Sequence, residues 1–169
     1  MADTMDAHQL TRGGETVGLL SSMSEWEAEL VLNFRCWVND EAGKNNVRSS
    51  FSRTFASERA AEELWAFEKF LTTIAEHSYY PLAHHDPECP CLGAHEAILT
   101  HMVRLASSGC LLEASQMASL IALPSKAESI SLMAIRIGNM MQQIVRTPYT
   151  YEVSLSTAHH RICLLYTSD

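Results

Sequence analysis

The sequence predicts an all-α domain, an irregular bundle of about five helices with a proline-rich Cys/His loop between the second and the third. Three observations carry that expectation. Apolar residues recur at three- and four-residue spacing through most of the chain. Capping signals stand where these stripes begin, and Gly or Pro stands where they end. No run of alternating β-branched residues bounded by turns occurs before Tyr149, so strand is expected only after it. A length of 169 residues, 47% of them apolar, suits one domain with its own core.

Residues 1–22 mix Asp, Thr, Gly-Gly and Ser with few large apolar residues and read as a flexible leader. The domain is expected over 23–148. Ser24-Glu25-Trp26-Glu27 is a capping box, and Trp26, Leu30, Phe34 and Trp37 follow at helical spacing to about Val38. Residues 39–52 hold Asn-Asp, Gly43 and Asn45-Asn46, all turn formers, and are expected to be a loop. A long amphipathic helix follows from about Ser57 to His77, with Ala60, Leu64, Phe67, Leu71 and Ile74 on one stripe. Pro81, Pro87 and Pro90 exclude regular helix beyond it.

Helix resumes near Gly93 or Ala94, carries Ile98, Met102 and Leu105, and stops at Ser107-Ser108-Gly109, where Gly109 suits a left-handed cap. A shorter helix is expected from Leu111 to Leu123, ended by Pro124. Ser125-Lys126-Ala127-Glu128 reads as a second capping box, before a helix to about Arg146 with Ile130, Met133, Ile137, Met140, Met141 and Ile144 on its apolar face. That stripe, with Trp26 and Trp37, reads as core packing. Residues 149–169 form a tail. Its last part, Cys163 to Asp169, resembles the peptide produced when a sequencing adapter is translated, and is expected to be non-native.

Charge and composition narrow the function classes. Twelve Lys and Arg against twenty Asp and Glu leave a net charge of −8, which repels a phosphate backbone, so no nucleic-acid partner is expected. No apolar run reaches the length of a bilayer crossing and no signal-peptide pattern follows Met1, so no membrane partner is expected and the compartment is the cytoplasm. Five cysteines in irregular spacing fit a reduced protein, with Cys36 and Cys110 as small core residues. Phosphate-loop, nucleophile-elbow and metalloprotease-helix motifs are absent from the sequence.

The segment His84-His85-Asp86-Pro87-Glu88-Cys89-Pro90-Cys91-Leu92-Gly93-Ala94-His95-Glu96 gathers imidazoles, thiols and carboxylates as no other stretch does. Thiolate and imidazole are the ligands zinc prefers, so His84, His85, Cys89, Cys91 and His95 are the candidate metal set, with zinc as the candidate cofactor. A reactive thiol is the alternative, since Cys91 precedes a helix N-terminus and His95 lies one turn further on. A solvated connector with idle thiols is the third reading.

Cys91-Leu92-Gly93-Ala94-His95 resembles the second half of the Cys-x-x-Cys-x-x-x-His motif of the alkylhydroperoxidase D and carboxymuconolactone decarboxylase family, which is all-helical. That resemblance implies a redox couple at Cys89 and Cys91 and a proton relay at His95, although only one residue separates the cysteines here. The wider pattern His85-x-x-x-Cys89-x-Cys91-Leu92-x-x-x-Glu96 resembles a small uncharacterised all-helical bacterial family and implies the fold alone. The leading expectation is a non-catalytic helical accessory or interaction protein with a small Cys/His metal site, its partner another protein or a second copy. The alternatives are a thiol-dependent redox enzyme and a helical interaction domain with no site.

Overall fold

The computed structural model describes residues 13–147, which form six α-helices and a two-stranded antiparallel ribbon. The ribbon pairs β1 (Thr16–Leu19) with β2 (Cys91–Gly93), and a short 3-10 turn (Leu20–Ser22) leads from β1 towards the first helix. The helices are α1 (Glu25–Asn39), α2 (Glu41–Thr54), α3 (Ser57–His77), α4 (Ala94–Ser107), α5 (Leu111–Ala118) and α6 (Pro124–Arg146). The all-α expectation holds, and no helix among the described residues is long and apolar enough to cross a membrane.

Helix α1 starts where the capping residues stand. The Glu27 carboxylate accepts the Ser24 backbone N–H at 3.2 Å and the Ser24 hydroxyl at 2.6 Å. It is buried on two sides: Leu30, Phe34 and Trp37 enter the main core, while Val31 and Leu32 pack with Leu20 and Leu92 under the ribbon. The main core continues through Phe67, Phe70 and Ile74 of α3, Leu99 and Met102 of α4, and Ile130, Ile137, Met140 and Met141 of α6. Each large side chain so buried contributes roughly 1.5–3 kcal/mol. Met133 and Trp26 are partly buried against it, as core packing requires.

Six expectations fail, most of them for a tertiary reason. Residues 41–54 are helix α2, not loop. Asp40 caps it by accepting the Gly43 N–H at 2.7 Å, and Val47 and Phe51, one turn apart, are buried in the core. A Cβ at Gly43 would run into the Cys36 carbonyl, so the turn former is there to let α1 and α2 close together. The turn propensity of the asparagines is overridden by that burial.

The leader is structured from Gly13 onward, and strand occurs long before Tyr149. β1 is only four residues long and owes its existence to a partner some 75 residues away in sequence, so no local pattern announces it. Helix α5 ends at Ala118 and not at Leu123, because residues 119–123 turn to bind the end of α3: Leu123 N–H donates to the His77 carbonyl at 2.9 Å and Tyr79 N–H to that of Ile121 at 3.3 Å. Pro124 then opens α6 at its first turn, where its missing N–H costs nothing, and displaces the expected cap at Ser125. Cys110 is exposed at the N-cap of α5, since Gly109, at φ 86°, turns the chain outward before it. The residues after Tyr149, where alone the sequence allows strand, and the tail from Cys163 lie outside the described residues.

Candidate functional site

The Cys/His loop is organised around a residue pair. Arg35, on α1, and Glu96, in the first turn of α4, are both 0% exposed and form an ion pair at 2.7 Å. Guanidinium carries five N–H donors, and all five are used. Nε and one terminal nitrogen donate to the two Glu96 oxygens at 2.7 and 2.8 Å. The remaining bonds go to loop carbonyls: Asp86 at 3.1 Å, Cys89 at 2.7 Å and Cys91 at 2.5 Å.

Glu96 is equally occupied. Besides Arg35, it accepts the backbone N–H groups of His85 at 3.1 Å and Gly93 at 2.8 Å. Seven hydrogen bonds therefore tie α1, α4 and the backbone at five positions from His85 to Gly93 into one knot. Burial would raise the Glu96 carboxyl, but the Arg35 hydrogen bond, the Gly93 N–H, the Arg35 charge and the His85 N–H outweigh it and hold the group below the usual carboxylate range. Gly93 is required for closeness: a Cβ there would stand 3.0 Å from the His85 ring and 3.3 Å from a Glu96 oxygen.

The five residues read from the sequence as metal ligands do not stand as one group. Cys89 Sγ lies 3.7 Å from His85 Nδ1, and these two meet. His95 Nδ1 accepts the Ala83 N–H at 2.9 Å, and its ring fills the space against Gly13. Burial lowers its pKa, in keeping with a neutral ring that serves as acceptor. His84 is exposed and sets its ring edge-on to Phe34, with centroids 5.8 Å apart. Cys91 is half-buried in β2, its carbonyl held by Arg35. Among the described residues no three His, Cys, Asp or Glu side chains are gathered as a metal-binding group.

Local sequence explains the Cys89 geometry. Asp86-Pro87-Glu88-Cys89 closes a turn in which Cys89 N–H donates to the Asp86 carbonyl at 3.0 Å, with proline preset at the second position. The turn brings Cys89 back beside His85 and onto a cleft of about 640 Å³, shared with Cys36, Asp40, Asn46, Asp86 and Glu88. What sequence reasoning missed is Arg35. Its signal was present: a lone cation inside the apolar run Val31-Leu32-Asn33-Phe34-Arg35-Cys36-Trp37-Val38 has to find a buried partner.

A second feature lies at the corner of α5 and α6. Leu112 is 71% exposed and Leu120 61%, with Leu111, Leu123 and Leu132 also open to solvent. From Leu111 to Ser125 the only charged residue is Glu113. Neither the family models, nor the curated proteins, nor the solved structures contain a match to this chain.

Proposed function

We propose that the chain is a non-catalytic helical interaction module that associates with a second copy of itself through the corner of α5 and α6. The observation that supports this reading is the set of exposed leucines Leu111, Leu112, Leu120 and Leu123, in a stretch bearing one charge. Exposed apolar side chains gathered in one region mark association sites. A net charge of −8 opposes contact between copies over most of the surface, and this nearly uncharged stretch escapes that repulsion. The Cys/His loop fits the same reading as a structural part, because Arg35 and Glu96 already clamp its backbone to α1 and α4. Sedimentation equilibrium over a concentration series tests the proposal. A dimer that the double variant Leu112→Glu, Leu120→Glu converts to monomer is expected. An unmodified chain that stays monomeric up to about 100 μM, where even a weak interface with a Kd near 10 μM would be largely paired, sinks it.

A further inference from the structure

We infer that Cys89 is a nucleophilic thiol, with His85 as its proton acceptor, and that it takes small uncharged electrophiles through the cleft between the loop and α2. The pair is preorganised from both sides. The Cys89 backbone is held by Arg35 at its carbonyl and by Asp86 at its N–H, and the His85 backbone is held by Glu96. Both side chains therefore issue from fixed backbone, which removes most of the ordering that a thiol and its base otherwise require.

Imidazole at hydrogen-bond reach of a sulfur is the arrangement that activates a thiol. Nδ1 of His85 lies 3.7 Å from Cys89 Sγ, and the other ring nitrogen, Nε2, is buried with no hydrogen-bond partner among the described residues. Among the described residues, the thiol is thus the side-chain group with which this ring shares a hydrogen bond. Cys89 is half-buried and opens onto the cleft, so a small molecule can reach it. Asp40, Asp86 and Glu88 line the same cleft, and the Arg35 charge behind it is neutralised by Glu96, which disfavours anionic reactants and leaves uncharged ones.

The step balances without a further reactant. The thiol proton passes to His85 Nδ1, the sulfur lone pair attacks the electrophilic carbon, an S–C bond forms, and the leaving group departs with its bonding pair. Iodoacetamide is a suitable probe: S–C forms, C–I breaks and iodide leaves. Cys110 is the internal reference, because it is exposed at the N-cap of α5.

Limiting iodoacetamide at neutral pH, followed by quantitation of each labelled cysteine by peptide mass spectrometry, tests the inference. Cys89 is expected to label at least about tenfold faster than Cys110. Greater access cannot produce that order in the Leu112→Glu, Leu120→Glu variant, where no second copy covers the corner and Cys110 is the more exposed of the two. His85→Asn is expected to bring Cys89 to or below the Cys110 rate. Iodoacetate, the anionic counterpart, is expected to lose most of the preference for Cys89. Equal labelling of Cys89 and Cys110, or an unchanged Cys89 rate in folded His85→Asn, overturns the inference. If that variant does not fold, the two reagents on the unmodified chain decide: the same Cys89 to Cys110 ratio with both overturns it.

Discussion

Glu96, in the first turn of α4, and His85, in the loop before it, share a hydrogen bond, yet they live under different rules. Around Glu96 and Arg35 every charged atom is buried and every donor has an acceptor. Around His85 and Cys89 the side chains are half-buried, one ring nitrogen has no partner among the described residues, and the single sulfur contact is long and soft. A saturated polar cluster in a low-dielectric setting is rigid and intolerant of change, because any deletion strands the rest. A partly satisfied pair at a cleft contributes little to the fold and remains available for chemistry. The difference teaches that polar residue density, which singles out the whole loop in sequence, does not separate residues that hold the loop from residues it presents.

The sharpest way to break that comparison is to delete the knot. Glu96→Ala or Arg35→Met is expected to cost about 3–5 kcal/mol in denaturant unfolding, because each leaves its partner charged and buried. The double variant Arg35→Met, Glu96→Leu should remain destabilised, since the carbonyls of Asp86, Cys89 and Cys91 and the N–H groups of His85 and Gly93 lose their partners together. Recovery of full stability in the double variant would show that the backbone bonds contribute nothing. The exposed pair Arg48–Glu41 sets the lower reference: Arg48→Ala should cost less than about 1 kcal/mol.

A smaller effect separates Glu96 from His95 by pH. Glu96 titrates below its ordinary value of 4.5 in the folded chain, so its contribution is complete above that value and is lost as pH falls through the lowered folded value. His95 is depressed below 6.5 by burial, so its contribution is complete above pH 6.5 and is lost as pH falls through its own lowered value. Stability measured against pH should therefore descend in two stages, and His95→Gln should abolish the upper one alone. Protonation also ends the hydrogen bond from Ala83 N–H to His95 Nδ1, so amide exchange at Ala83 should rise over the same upper stage.

The smallest expected effect belongs to the thiols. Cys89→Ser with Cys91→Ser, and prolonged treatment with chelator, should each shift the melting temperature by no more than about 3 °C, the equivalent of roughly 1 kcal/mol in a chain of this size. A larger fall with chelator that vanishes in the cysteine variant would show a metal ion closing the loop, with His85 and Cys89 as its first two ligands.

Much of the fold was legible because it follows local rules. The stripe Ala60, Phe67, Leu71, Ile74 is buried where helical periodicity places it, and Gly109 takes the positive φ that a helix stop demands. Helix α2 was not legible, because Gly43, Asn45 and Asn46 favour turns and only contact with α1 and the core reverses that preference. The candidate site was legible as a composition and not as a geometry. His85 and Cys89, four apart across a proline turn, come together, whereas His84 turns to Phe34 and His95 to Ala83.

By itself, the sequence determined the helical class, the start of α1 at Ser24, the extent of α3 and the position of a proline-stiffened loop rich in thiol and imidazole. Those features rest on contacts within a turn or two of chain, where periodicity, caps and proline stereochemistry act directly. Tertiary structure alone decided that Arg35 would find Glu96, 61 residues away, that β1 would pair with β2, and that two of the five expected ligands would face each other. A buried cation takes whichever carboxylate and carbonyls the packed helices bring to it, and no local pattern encodes that choice.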